Sequence, residues 1–325
     1  MGDETFSLQT LTASIQSLPS LPTRIGSSGL FAPKPQRSTQ VLIDEEAGRL
    51  TLVPNASRRD PGVTVAGKSR KTRSFTTTHL PQRSVVLAED IQGVRAFGSE
   101  DTLASVNAVV NDRLQDMKNN LVATREWQKI GAIKGQILNA DGAVIEDLFS
   151  AFGVTQISKA LALNVATTDV RGKIMAAKRE SESVLGAFMV LRWKAYCSAS
   201  FFDSLVGHDL VKATYAGWQA SADRLGGDMR SGFTFGGTEF SEYEFSVGGS
   251  KYIADGEAYL VPDVPGLFVE ALAPANYNET VNTMGQEYYA KAEPMPMGKG
   301  HNLEAQSNPL PLCLAPKACI KLTVS

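Results

Sequence analysis

Apolar and polar positions along this chain fall into blocks of different period. In "SLQTLTASIQSL", residues 7–18, Leu8, Leu11, Ile15 and Leu18 recur at three- and four-residue steps. That spacing predicts a short amphipathic helix, stopped by Pro19. Residues 19–38 hold Pro19, Pro22, Pro33 and Pro35 among Gly and Ser, with too little apolar mass for a core. A lone helix of this length is marginal in water, so the segment needs a surface to lie on. In "TQVLIDEEAGRLTLVP", 39–54, Val41 and Ile43 alternate, "DEEAG" reads as a turn, and Leu50 and Leu52 alternate again. Together with "RSFTTTHL" this predicts a thin two- or three-stranded excursion over about 39–82. Isolated hairpins are also marginal, so a neighbouring molecule is expected to complete it.

Residues 99–130 predict the longest helix. Ser99 can cap it, Glu100 and Asp101 suit its positive end, and Leu103, Val106, Val110, Leu114, Met117 and Leu121 repeat along it. Gly131 is read as its stop. Such a helix is about 45 Å long, against a radius of gyration of about 20 Å for a globule of this size, so it is a spine. "AIKGQILNADGAVIEDL", 132–148, reads as a hairpin turning at "NADG". Beyond 155 the pattern is mixed. "DVRGKIMAAKRESE" predicts helix, "VLGAFMVL" (184–191) a buried strand, and "AYCSASFFDSLVGHDLVKATYAGW" a helix with a break. "SGFTFGGTEFSEYEFSVGG" predicts a meander with Tyr243, Phe245 and Val247 on one face. Residues 274–308 read as loop-rich, and "NPLPLCLAPKACIKLTVS" as two short alternating strands split by Pro316. The class is α+β.

The 325 residues are 43% hydrophobic and 20% charged, which suits a soluble chain with a real core. A net charge of −2 disfavours a globally basic nucleic-acid binder. The charge is uneven. Between 58 and 83 lie Arg58, Arg59, Lys68, Arg70, Lys71, Arg73 and Arg83 against Asp60 alone, a local +6 that leaves −8 elsewhere. The three cysteines, Cys197, Cys313 and Cys319, have no CxxC spacing, so reduced thiols are expected rather than a disulfide framework or zinc site. His79, His208 and His301 lie far apart. The N-terminus has no secretory pattern, and the longest apolar run, 184–191, is far short of a membrane span.

"GVTVAGKS", 62–69, spells a phosphate loop, with Gly62, Gly67, Lys68 and Ser69 in register. Its flanks are wrong. "PNASRRDP" before it is no buried strand, and "RKTRSFTTTHLP" after it favours extended chain over helix. A basic, solvated hairpin tip is the reading. Ser231 and Ser241 lack the nucleophile elbow. Glu239, Glu242 and Glu244 read as a solvated face, Cys197 as a buried thiol in an apolar helix, and His208 and Asp209 as helix neighbours that do not face each other. No catalytic, cofactor-binding or metal-ligating residue is predicted. The basic stretch 58–83 with Phe75 leaves two uses: contact with acidic protein surface, or a non-catalytic nucleic-acid-binding module.

The segment order is an arm, a basic hairpin, a spine helix, a short hairpin, an α/β region and returning strands. This resembles the major capsid proteins of tailed bacteriophages with the Hong Kong-type coat fold. The opening "FSLQTLTASIQSLPSLPTRIGSSGLF" is similar to members of the lambda-type family, major capsid protein E. So are "KTRSFTTTHLPQRSVVLAEDIQGVRAFGSE" (71–100), "EAYLVPDVPGLFVEALAPAN" and "NPLPLCLAPKACIKLTVS". The resemblance implies an N-arm over 1–38 laid along a neighbour, with Leu8, Leu11, Ile15 and Leu18 packing there. It implies an E-loop over 39–85 whose Arg58, Arg59, Lys68, Arg70, Lys71, Arg73 and Phe75 reach an adjacent subunit. A P-domain would span 86–154, an A-domain 155–290, and return strands to the P-domain 291–325. The implied function is self-assembly into pentamers and hexamers of an icosahedral head that encloses double-stranded DNA without reading its sequence. No enzymatic activity, cofactor or membrane contact is implied. Scaffold, portal and a decoration protein would be further partners, and the virion, after assembly in the host cytoplasm, the location. The start at Met1 without a helical scaffolding segment suggests a separate scaffold or a protease fusion.

Overall fold

Local capping chemistry sets where the chain turns. In the computed structural model, which describes residues 7–46, 70–91, 106–186, 188–216, 230, 232–243, 246–247 and 250–325, Ser7 caps α1 (Leu8–Ser17), accepting from the Thr10 N–H at 3.3 Å. There follow β1 (Ala32–Pro35), β2 (Gln40–Glu46), β3 (Arg70–Thr76), β4 (Leu80–Leu87), α2 (Ala88–Ile91) and the spine α3 (Val106–Lys134). Next come β5 (Gln136–Leu138), β6 (Val144–Asp147), α4 (Leu148–Phe152), β7 (Ser158–Ala160), α5 (Val170–Leu185) and β8 (Arg192–Cys197). Then come α6 (Ala199–Gly207) and α7 (Asp209–Ala216), after which the longer elements among the described residues are strands. The strands are β9 (Phe233–Phe235), β10 (Thr238–Glu242), β11 (Ser246–Val247), β12 (Ser250–Lys251), β13 (Glu257–Asp263), β14 (Phe268–Leu272), β15 (Tyr289–Pro294), β16 (Gly300–Ser307), β17 (Pro309–Cys313) and β18 (Ile320–Thr323).

Three sheets organise this. One is ordered β1-β14-β17, a second β15-β16-β4, and the largest β7-β18-β13-β8-β10-β9. The largest sheet is buried on both faces. Ala195, Cys197, Ala258 and Leu260 point to a cluster with α5 and α6, while Tyr196, Tyr259 and Val261 point to the main core. The spine joins two cores. Val110, Leu114, Met117 and Leu121 pack on the β15-β16-β4 sheet and α1, and Ile130, Ala132 and Ile133 enter the main cluster.

Several expectations change. The spine does not stop at Gly131 but runs to Lys134 and ends at Gly135, whose φ is +88°. Gly131 is there for close approach: a Cβ on it would lie 2.7 Å from Gln136 O and 3.1 Å from Ile137 Cα. The helix is about 44 Å long over the described 29 residues. The predicted start, 99–105, lies outside the described residues. The "NADG" turn stands, with the Gly142 N–H donating to Asn139 O at 3.0 Å. "DEEAG" does not turn where expected. Asp44, Glu45 and Glu46 continue β2 and pair with Thr72, Lys71 and Arg70.

"VLGAFMVL" is not a buried strand. Val184 and Leu185 end α5, Gly186 caps it at φ +67°, and Phe188 and Met189 are 70% and 77% exposed. The strand begins later, at Arg192, and takes "AYC" with it, so Cys197 sits on β8 and Ser198 caps α6. Apolar content does not distinguish an inward from an outward run, and the glycine break decides here. The predicted meander is only partly one. β10 is antiparallel to β9 but parallel to β8. Tyr243 is buried, whereas Phe245 and Glu244 lie outside the described residues. Residues 274–288 are loop around one short 3-10 turn, as expected, but β15 and β16 pair beyond them and β16 pairs with β4. Of the last strands, β16 pairs with β4, β17 joins β14, and β18 joins the six-stranded sheet.

Candidate inter-subunit surfaces

The base of the basic excursion grows out of the chain's own core. Val41 lies opposite Phe75 and Ile43 opposite Arg73, and the three apolar side chains are buried in the main cluster. The Phe75 ring packs 5.9 Å from that of Phe152. Arg73 is committed in cis. Its guanidinium lies 5.0 Å over the Phe152 ring and donates to the carbonyls of Ala151 and, at 3.2 Å, Phe152. Those carbonyls close α4, where the helix end favours a cation. Arg73 and Phe75 thus anchor the base of the excursion to the chain's own α4. On the opposite face Leu42 is 62% exposed. Arg70 and Lys71 begin β3, and Arg58, Arg59, Lys68 and the phosphate-loop string lie outside the described residues. Arg83 belongs to β4, paired with Glu304 at 2.7 Å.

The N-terminal helix is also seated in cis. Leu11 and Ile15 are buried against Leu114, Met117 and Leu303, with Leu18 packed at the edge and Leu8 half-buried. Lys118 of the spine donates to Gln16 O at 3.2 Å and Leu18 O at 2.6 Å, closing the C-terminal end of α1. Periodicity identifies the apolar stripe but cannot say whose surface covers it; within the chain, the spine covers Leu11 and Ile15. An open groove of about 710 Å³ runs along its outer side, lined by Gln9, Ala13, Gln16, Glu279, Thr283 and Lys291 among others.

Between these two surfaces the spine carries a buried ionic cluster that the pattern does not reveal. Arg125 makes two parallel 2.9 Å bonds to Glu270 of β14 and a 3.2 Å contact to Glu287. Lys129 reaches the same Glu270 at 3.1 Å. Burial alone would push the Glu270 carboxyl up, but Arg125 and Lys129 outweigh it and hold it below the ordinary range. Glu126 accepts from the Ile25 and Gly26 N–H groups at 2.8 and 2.9 Å and from the Tyr243 hydroxyl at 2.6 Å. Burial, then the Glu126 charge, push the Tyr243 hydroxyl far up, so it remains a donor. The helix thus ties the arm, β14 and the six-stranded sheet by charge. Arg125, Glu126 and Lys129 have the composition of a solvated helix face, and no local signal marks them as interior.

The remaining titratable candidates lie apart. Cys197 is fully buried at the end of β8, and burial pushes its thiol up. The His208 ring contacts Val165 O at 3.0 Å in the break between α6 and α7. Glu239 is exposed and Glu242 half-buried, on a strand rather than around a pocket. Ser241 is buried within the same strand, and Ser231 lies outside the described residues. Among the described residues no group of three or more His, Cys, Asp or Glu is placed to hold a metal ion. Nor is any described helix long and apolar enough to cross a membrane.

The sequence profile described as phage major capsid protein E matches residues 7–324 of this chain. The major capsid protein of Salmonella phage Felix O1 is 24% identical, covering 97% of this chain and 95% of its own. That of Pseudomonas phage KPP10 is 25% identical, with 90% of each covered. Among solved structures, a prophage protein of E. coli CFT073 assigned as a capsid protein superposes with a TM-score of 0.59. It is 10% identical and covers 98% of this chain and 99% of that one.

Proposed function

The chain belongs to the phage major capsid protein E family, and on that premise we propose that it builds an icosahedral head shell through ring-forming contacts between copies. It is a phage coat protein with the α+β coat fold, a structural component of the virion. The observation that carries this reading is the family match, which runs from the N-terminal helix to the last strand. The geometry supports it in detail. A two-stranded stem is fixed to the body by Arg73 and Phe75, and the chain joining its two strands carries Arg58, Arg59 and Lys68 of the basic stretch. Head-to-tail contacts of this kind close into pentamers and hexamers.

The division proposed is an arm over 1–38, an E-loop over 39–85, a P-domain over 86–154 and an A-domain over 155–290. Residues 291–325 are shared between the sheets of both. Leu8 and Leu18 are the half-exposed members of the arm's stripe that a neighbour would cover. Arg58, Arg59, Lys68, Arg70 and Lys71 would meet acidic surface on the adjacent copy. Each exposed ion pair contributes only about 0–1 kcal/mol, so they set register more than strength. The role calls for a scaffold, a portal and possible decoration, with double-stranded DNA enclosed rather than bound by sequence. It requires no chemistry from the chain, and assembly would occur in the host cytoplasm.

Negative-stain microscopy of the expressed full-length protein tests this. Shells, rings or tubes are expected. Reversing Arg58, Arg59, Lys68, Arg70 and Lys71 to Glu, with Arg73 kept, should abolish regular shells while the subunit stays folded. Unassembled chains that instead bind DNA with steep salt dependence would refute the coat reading in favour of the nucleic-acid module.

A further inference from the structure

Two of the chain's three thiols lie side by side. Cys313 Sγ is 3.9 Å from Cys319 Sγ, and both residues are fully buried. Cys313 ends β17, and Cys319 directly precedes β18. The residues between them carry the chain from the β1-β14-β17 sheet to the six-stranded sheet. That crossover is a tight turn. The Ala318 N–H donates to Ala315 O at 2.9 Å, and the Cys319 N–H to Pro316 O at 3.2 Å. The Ser181 hydroxyl holds Ala318 O at 2.7 Å. Leu314, Ala315 and Lys317 of the turn are half-exposed, while both cysteines sit at the edge of that turn within the main buried cluster. Opening so short a segment is a smaller event than unfolding the sheets. The sulfurs are in contact but unbonded, since a disulfide needs about 2.05 Å. Cys197, the third thiol, belongs to a different buried cluster.

We propose that Cys313 and Cys319 are an intrachain redox pair, a modification site whose reactant is a small-molecule disulfide. One thiolate attacks the small disulfide, forming a mixed disulfide and releasing one thiolate. The second cysteine, deprotonated, attacks the protein-side sulfur, closes the Cys313–Cys319 bond and releases the other thiolate. Two protein thiols are oxidised, two electrons pass to the reactant, and two protons go to solvent or to the released thiolates. The bond staples the crossover and so fixes the three-stranded sheet to the six-stranded one. The Cys313 contact, together with burial, pushes the Cys319 thiol up, so closure should speed with rising pH. This holds whether or not the chain assembles.

Oxidised glutathione is the probe, applied to the folded full-length protein, followed by acid quench, alkylation and tryptic mapping without reductant. Lys299, Lys317 and Lys321 place the two cysteines on separate fragments, 300–317 and 318–321. The expected product is those fragments joined, with the intact chain two hydrogens lighter and Cys197 still open to alkylation after denaturation. The oxidised chain should then unfold at higher denaturant, an increase lost on reduction. Three outcomes would overturn the proposal: both thiols free after exposure that fully oxidises the unfolded chain, pairing with Cys197 or between chains, or closure seen solely in denaturant. Since the mapping uses the natural chain, the result does not depend on a serine variant folding.

Discussion

Replacing Glu270 with Gln removes one charge and leaves two cations in its place. Arg125 and Glu270 side chains are 5% and 3% exposed, and Lys129 is 9% exposed, so water cannot compensate. Removing one partner of a buried ion pair costs about 3–5 kcal/mol. Glu287, half-exposed at 3.2 Å from Arg125, keeps part of the compensation, which places the expected loss near the low end, about 3 kcal/mol. Against a typical total of about 5–15 kcal/mol this is a large fraction. The assay is urea unfolding of unassembled subunits, followed by circular dichroism and by tryptophan fluorescence. The pH dependence adds a second test. Because the folded carboxyl lies below its ordinary value, its contribution is complete above the ordinary glutamate pKa of about 4.3 and is lost as pH falls through the folded pKa. The stability gap between the natural chain and the Glu270→Gln variant should therefore narrow in acid and stay constant near neutrality. A triple replacement of Arg125, Lys129 and Glu270 by Met, Met and Leu should recover most of the loss. The reasoning fails if Glu270→Gln unfolds within about 0.5 kcal/mol of the natural chain, or if the gap widens in acid.

Gly131→Ala forces a Cβ to 2.7 Å from Gln136 O, a backbone atom that cannot rotate away, and should cost about 1–3 kcal/mol in thermal or urea unfolding. Ile15→Ala should cost about 2–5 kcal/mol in the isolated subunit, because Ile15 is buried against the chain's own spine; an unchanged midpoint would return the arm helix to a neighbouring copy. Arg73→Ala should loosen the stem, speeding amide exchange at Val41 and Ile43 while exchange in the six-stranded sheet stays unchanged. Glu126→Gln leaves the Ile25 and Gly26 N–H groups a weaker acceptor and should destabilise by about 1–2 kcal/mol, read by the same urea assay.

Local periodicity and turn chemistry determined much of this protein. The arm helix with its Leu11–Ile15 stripe, the spine, the "NADG" hairpin and the Pro316 break were all legible, because each depends on residues a few positions apart. So was the family, through the order of its segments. Other features were decided by tertiary structure alone. Whether the arm lies on its own body, whether Phe188 points in or out, and that Glu126, Arg125 and Lys129 are interior all depend on surfaces distant in sequence, about a hundred residues away for Glu126 and more for Arg125. Burial, charge pairing and the approach of two sulfurs are properties of distance in space. Gly131 shows the boundary between the two: the sequence marks a residue without a side chain, and only the packed hairpin says that a neighbouring backbone, not a helix end, required it.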